Sequence, residues 1–464
     1  MVILIKVLQF ILALSILVFV HELGHFLAAK AFKTRVEKFY LFFDWGFSIF
    51  RCKKVDGKWR FKFFAKNVQP DDEWAKSTTT EYGIGWFPLG GYNKIAGMID
   101  ESMDKEQMKQ PPQDWEFRSK PAWQRFIIMV AGVFMNVVLA ICIYIGLLAN
   151  YGEQYLPTSE VNKYGIVVDS LGYKFGLRDG DKIIAVDGEY IENFQEIPMQ
   201  IILEKAQTIE VERDGQHVTV TLPDDALTQL LSTQNGTFIS YRMPFVVSGV
   251  IDNSAAQAGG LEVGDVIIGI NEIPTPYYQD FTKYIKQFKN EDVNIVVVRD
   301  FDTLALPMHL GEEAVIGAYL APLSEYFTLE TKEYTFWQAI PAGFSKTFTE
   351  ISDYWKQLKL IFSPKTKAYE SVGGFISIGK IFPETWIWSM FWRLTAFLSI
   401  ALAVMNILPI PALDGGHILF LLYEIITRRK PSDKFMEIAE YIGLALVLAL
   451  VLFANGNDII KLFK

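Results

Sequence analysis

Four apolar stretches decide what this chain can fold into. They run from about Ile3 to Ala29, Phe126 to Leu148, Leu394 to Leu413 and Ile438 to Ala454. A helix needs roughly 20 apolar residues to cross the hydrocarbon core of a bilayer. The second and third meet that outright; the fourth lies at the short end and holds Glu440 near its start. The first has a long apolar run, only Lys6 as leading charge, and no small-x-small site before His21, so it reads as a span and not as a cleaved signal peptide. With 464 residues, 51% of them hydrophobic, the chain is too long for one compact unit and suits a soluble part joined to a few spans.

Charge sets the expected orientation. Residues 30–125 hold 18 Lys and Arg, and Arg428, Arg429 and Lys430 follow the third span. The segment from Tyr151 to Met390 has 18 basic against 33 acidic residues. The positive-inside rule then puts the first loop and the Arg428 cluster in the cytoplasm and the acidic segment outside, with both chain ends. The net charge of −9 argues against a nucleic-acid partner, which would need a basic face. Two distant cysteines, Cys52 and Cys142, make neither a disulfide framework nor a cysteine zinc site.

The acidic segment contains a repeat. Asp169 and Asp252 each open a short helix-like piece, followed by Gly-Leu (Gly176-Leu177, Gly260-Leu261), a Gly-Asp turn (Gly180-Asp181, Gly264-Asp265) and an apolar strand. Thr208–Glu212, Val218–Leu222 and Val293–Arg299 alternate as further strands. Both copies resemble the PDZ domain, which takes an extended peptide as an added strand. A spacer or filter without ligand explains the repeat equally well. Beyond it, Trp337, Pro341, Phe344, Phe348, Ile351, Trp355 and Leu358 recur at helical spacing, which predicts an amphipathic helix on the membrane, between domains, or simply packed in a core.

The chemistry sits in the first span, at His21-Glu22-Leu23-Gly24-His25. Residues four apart share a helix face, so both imidazoles can meet one metal while Glu22 stays near as general base on a bound water. Ionisable residues inside a span are costly and mark function, and the chain has only five histidines. A catalytic zinc takes three protein ligands and an open position. His217 and His309 lie in the outer segment. The third span ends in Asn406-Ile-Leu-Pro409-Ile-Pro411-Ala-Leu413-Asp414-Gly415-Gly416-His417, which offers Asp414 and His417. The first and third spans both run inward, so these groups fall at matching depth. Residue chemistry favours Asp414 and leaves His417 open.

Together these features resemble the bacterial site-2 proteases of the RseP type, along essentially the whole chain. That family carries His-Glu-x-x-His in its first span and Leu-Asp-Gly in its third, here Leu413-Asp414-Gly415. The resemblance implies His21, His25 and Asp414 as zinc ligands, Glu22 as catalytic base, and Asn406 in contact with substrate backbone. It also implies a re-entrant β-hairpin at Gly83–Tyr92, whose edge at Gly90, Gly91 and Tyr92 would pair with an unwound substrate. Bare backbone at membrane depth is tolerated only where it lines a cavity. Two places depart from the family pattern: Gly132-Val133 in the second span and Gly374-Phe375 before the third lack its prolines. The Met98–Gln113 stretch is longer than the family leads one to expect.

The expected fold is thus a membrane protein with four transmembrane α-helices, a re-entrant β-hairpin and two extracytoplasmic PDZ-like α+β domains. Its segments would be 1–30 (first span), 31–125 (loop with hairpin), 126–150 (second span), 151–235 and 236–325 (PDZ-like domains), 326–390 (aromatic linker helices), 391–430 (third span) and 431–464 (fourth span and tail). The expected activity is Zn2+-dependent cleavage of single-span membrane proteins, such as anti-sigma factors or remnant signal peptides, in a bacterial inner membrane. The PDZ-like pair would bind peptides or exclude bulky substrates. The competing expectations are a membrane-anchored PDZ adaptor without activity and a zinc-dependent transporter.

Overall fold

A computed structural model describes residues 2–66, 72–98, 110–226, 229–230, 238–361 and 373–462. Most of the Met98–Gln113 stretch falls outside them. The chain divides into two compact units, one built from residues up to Gly152 and from Glu333 onward, the other from Glu153–Lys332.

The first unit is helical with one sheet. Among the described residues its α-helices of six residues or more are α1 (Val2–Ala31), α2 (Ala122–Tyr151), α3 (Phe336–Ile361), α4 (Phe375–Lys380), α5 (Trp388–Ile407), α6 (Asp414–Thr427) and α7 (Asp433–Leu462). Among the described residues, four segments are long and apolar enough to cross a membrane: Val2–Ala31, Ala122–Tyr151, Trp388–Ile407 and Lys434–Ile460. These are the four stretches seen in the sequence, with one shift. The third helix starts at Trp388 and stops at Ile407, six residues short of Leu413, because Pro409 and Pro411 lack the N–H a helix would need. The chain turns through Leu408–Leu413 and restarts as α6 at Asp414. Many apolar side chains on α1 and α7 are exposed, as on helices whose solvent is lipid.

Glycines let the helices approach closely. A side chain at Gly24 would run into the Ala131 carbonyl of α2, and one at Gly443 into the Pro411 carbonyl. Small residues at such crossings are how membrane helices gain packing where burial in lipid offers no hydrophobic gain. Helix α3 packs on α2 and α5, with Leu358 buried among Ala140, Tyr144, Ala396 and Ile400. Core packing therefore accounts for one of its faces, while Trp337, Phe344 and Phe348 remain exposed.

The sheet holds β1 (Val36–Val55), β2 (Lys58–Lys66) and β3 (Glu81–Ile95), in the order β2-β1-β3. Asp56-Gly57, both with positive φ, turn β1 into β2 as a type I′ hairpin requires. The β1–β3 register is unusual. Leu41 is opposite both Ile84 and Gly91, and Phe39 opposite both Tyr82 and Asn93. Glu81–Ile84 and Gly91–Lys94 thus flank the same stretch of β1, so β3 doubles back within Gly83–Tyr92.

The second unit contains two cores. One is built on Ile166, Phe175, Ile183, Ile197 and Ile209, the other on Phe245, Ile267, Phe281, Ile295 and Val297. The repeat holds in detail. Each copy has a short helix (Ser170–Phe175, Ala255–Ala258), a glycine with positive φ (Gly180, Gly264) and a buried strand (Lys182–Val186, Val266–Ile270). Truncating Ile267 or Ile295, both fully buried, to alanine would cost about 2–5 kcal/mol each.

Candidate metal centre

His21 and His25 sit on the buried face of α1, and Asp414 opens α6 just after the two-proline turn. One ligand atom from each lies within 4.8 Å of the others. Asp414 Oδ2 is 3.1 Å from His21 Nε2 and 3.3 Å from His25 Nε2, and the two Nε2 atoms are 3.2 Å apart. A four-coordinate zinc with bonds of ~2.0–2.1 Å separates its ligand atoms by about 3.3–3.4 Å, so the three positions suit that ion. Their chemistry suits it too. Asp414 Oδ2 is buried without a hydrogen-bond donor, and three lone-pair atoms facing one another need a cation between them.

The backs of both imidazoles are held. His25 Nδ1 donates to the Ile128 carbonyl at 2.8 Å, which leaves the Nε2 lone pair facing Asp414. His21 Nδ1 lies 3.3 Å from the Asn136 amide, whose buried Oδ1 otherwise has no partner. The Asn136 amide thus braces the back of the His21 ring as the Ile128 carbonyl braces that of His25. Asn136 is itself anchored, since Ser399 of α5 donates to its carbonyl at 2.8 Å. Between these two supports stands Gly132, where any side chain would collide with the His25 ring and press on His21. The sequence signal for this set was Gly132 and Asn136 at i and i+4 on one face of a span, opposite two histidines at the same spacing.

Glu22 lines a cavity of about 660 Å³ together with His21, His25 and Asp414. Gly91 and Tyr92 of β3 line it as well, whereas Gly90 does not. The Asn93 side chain lies against the Glu22 carbonyl and the Phe26 N–H, which ties this edge of β3 to α1. Tyr92 is fixed in turn: its hydroxyl donates to Asp44 at 2.9 Å and its ring stacks on Tyr40. Asn406, at the end of α5, brings its amide to 3.4 Å from His21 Nε2. His417 is not among the three convergent groups; it faces Glu440 of α7 at 3.7 Å.

The description of peptidase family M50 matches residues 9–66 and 73–450. The chain belongs to this family, the site-2 proteases. It is 28% identical over 480 residues to the Regulator of sigma E protease of Haemophilus influenzae, covering 98% of each chain. It is 27% identical over 471 residues to the Metalloprotease MmpA of Caulobacter vibrioides, covering 98% of this chain and 96% of that one. A Vibrio cholerae relative named as a zinc metalloprotease is 29% identical over 479 residues, again with 98% of each chain covered. This M50 chain is a zinc metallopeptidase of the site-2 type and a membrane protein, which sets the adaptor and transporter readings aside.

Proposed function

We propose that this M50 protease hydrolyses peptide bonds in or near the transmembrane segment of single-span membrane proteins, with His21, His25 and Asp414 as zinc ligands and Glu22 as general base. The observation that carries this reading is the convergence of three ligand atoms from α1 and α6 beside Glu22, in one cavity that the β1–β3 sheet also lines. Zinc bound there would polarise a carbonyl and lower the pKa of a water. The chain's own residues do the rest. Ile128 and Asn136 hold the imidazoles so that only their Nε2 atoms face the cavity. Glu22, one residue from His21, accepts a proton from the attacking water and returns it to the leaving amine.

A substrate helix hides its carbonyls in its own hydrogen bonds and must unwind before attack. The Gly91-Tyr92 edge of β3, where Gly91 adds no side chain, would receive the unwound strand as an added β-strand. The Asn406 amide would hold its backbone beside His21. Anti-sigma factors or remnant signal peptides fit this substrate class, given that the Haemophilus relative is named as a regulator of sigma E. The chain would sit in a bacterial inner membrane with the acidic repeat unit, PDZ-like in pattern, outside.

The test is a cleavage assay of the purified chain on a single-span substrate, with zinc measured alongside. Glu22→Gln should keep its zinc and lose activity by a factor of roughly 10²–10⁴, the range of general base catalysis. A chain without zinc, or a Glu22→Gln variant that cuts like wild type, would falsify the assignment.

A further inference from the structure

Lys38 and Asp44 line the cavity of the metal centre, yet the reaction above uses neither. The chain reaches this place by an unusual path. Tyr40 and Arg51 of β1 both stand opposite Gly83, and Leu41 and Phe50 both opposite Ile84, so β1 also doubles back, between Leu41 and Ser48. Phe42 and Gly46 make that bend with φ of +69° and +75°. Glycine takes such an angle freely, whereas a phenylalanine there is strained. Strain of this kind collects at functional sites, where the surrounding structure holds it in place. Here the bend brings Asp44 within reach of the Tyr92 hydroxyl.

Three groups meet as a result. The Tyr92 hydroxyl donates to Asp44 Oδ1 at 2.9 Å, Lys38 Nζ donates to the Tyr92 hydroxyl at 3.3 Å, and Lys38 Nζ lies 3.6 Å from Asp44 Oδ2. The last distance makes an ion pair but not a hydrogen bond. Among the described residues, Lys38 thus uses one of its three N–H donors, and Asp44 Oδ2 accepts no hydrogen bond. The ammonium also lies over the Tyr40 and Tyr92 rings, 5.4 and 5.8 Å from their centres, which fixes it. Both side chains stay partly open, Asp44 at 18% and Lys38 at 35%. A donor and an acceptor with spare capacity therefore stand side by side, among Phe43, Trp45 and Phe87 on the same cavity wall.

The substrate edge sets one residue against them. Tyr92 and Lys94 face Tyr40 and Lys38 across the sheet and share their side of it. A strand added beside Tyr92 places the residue opposite it on that same side, its Cβ about 4.5–5.5 Å away. The neighbours of that residue point to the other side, where Asn93 meets α1. We propose that Lys38 and Asp44 determine specificity by reading this one substrate side chain, and that they select an uncharged group able both to donate and to accept: the carboxamide of Asn or Gln, or the hydroxyl of Ser or Thr. The inference rests on the reading of the Gly91-Tyr92 edge given above. An apolar side chain at this position covers the Lys38–Asp44 pair and takes away its water without replacing the hydrogen bonds, a cost that a matched side chain avoids.

The test uses the full chain and single-span substrates whose transmembrane segment is Leu and Ala with one Asn, moved along it a residue at a time. Cut sites are read by mass spectrometry. The cut is expected to follow the Asn at a fixed offset, and kcat/KM to fall about tenfold when that Asn becomes Leu. Gly in its place loosens the helix but has no side chain to read, so it stays at the Leu level. In the double variant Lys38→Met, Asp44→Leu, with zinc content unchanged, the Asn advantage shrinks below about twofold. The same tenfold gap is expected in the Kd of the Asn and Leu segments for the Glu22→Gln chain, which reads the pocket without the reaction. Equal Kd values there overturn the pocket, and so does a wild-type chain that cuts Leu or Gly segments as fast as Asn ones. A zinc-loaded double variant that keeps the tenfold gap overturns it as well. A Kd gap beside a wild-type chain that cuts no segment would instead overturn the active-site reading and leave the pocket standing.

Discussion

At the scale of single residues, the site depends on a missing side chain as much as on its ligands. His21 and His25 could be picked from the sequence because four-residue spacing puts them on one helix face. Their supports on α2 left only a spacing signal, Gly132 and Asn136 four apart, because which face of α2 meets α1 is decided by packing, through Gly24 on Ala131. Gly132 is the sharpest consequence. It stands against both imidazoles, with Ile128 and Asn136 one turn to either side. Gly132→Ala adds only a methyl group and should even favour the isolated helix. In the folded chain that methyl displaces the His25 ring from Asp414. The expected outcome is a protein that inserts and resists proteolysis like wild type but retains less than a tenth of its zinc, about 1.4 kcal/mol or more of lost affinity, read by metal analysis after dialysis. Undiminished zinc in that variant would mean the rings can shift without loss and the fit is looser than the distances imply.

At the scale of elements, the helices were legible and the sheet was not. Pro409 and Pro411 announced the break after the third span, and the break is what delivers Asp414 to the front of a new helix. The expected third span, 391–430, did not set this helix, α6, apart from α5. Nor could the β1–β3 register be read in advance, because it depends on β3 folding back so that residues 81–84 and 91–94 share one partner stretch. The repeat was legible down to its turns, yet its strongest shared feature is an ion pair. Arg213 forks onto Asp181 and bonds the Gly176 carbonyl; Arg299 forks onto Asp265 and bonds the Gly260 carbonyl. Both aspartates are 1% exposed. Burial alone would raise the Asp265 carboxyl, but the Arg299 hydrogen bonds and the Glu262 N–H outweigh it and hold it below the usual carboxylate range. A group depressed in the folded state contributes stability above its unfolded pKa of about 3.9, lost as pH falls through the lower folded value. Asp265→Asn should therefore lower the Tm of the repeat unit by several degrees at pH 7, with the gap to wild type closing below about pH 4. Calorimetry on the full chain across that range checks it. A gap that stays constant down to pH 2 would show that the fork acts by shape and not by charge.

At the scale of the whole molecule, the question is why a membrane peptidase carries the repeat unit at all. The unit's own ends bear on the answer. Glu153–Tyr155 and Glu330–Lys332 pair as antiparallel strands, with Tyr155 opposite Glu330 and Glu153 opposite Lys332. The Tyr155 hydroxyl ties them further, donating to Glu330 at 2.7 Å. The chain therefore enters and leaves this unit at one place, and everything from Leu156 to Leu329 is an insertion between two paired strands. A short hairpin loop of the Asn-Gly type can close such a pair, so the insertion can be removed without pulling α2 and α3 apart. That gives a clean test of the filter role expected from the sequence. If the insertion excludes substrates by size, its removal should leave kcat/KM on a trimmed single-span substrate within about threefold, less than 1 kcal/mol in transition-state energy. It should also permit cleavage of an untrimmed substrate with a folded outer domain, which the full chain refuses. If instead the insertion recruits substrates by binding their free ends, the same deletion should raise KM on the trimmed substrate and still refuse the untrimmed one. The two roles thus move the two substrates in opposite directions, and an unchanged preference would show that selection is made within the membrane unit, at the Gly91-Tyr92 edge and the cavity behind it.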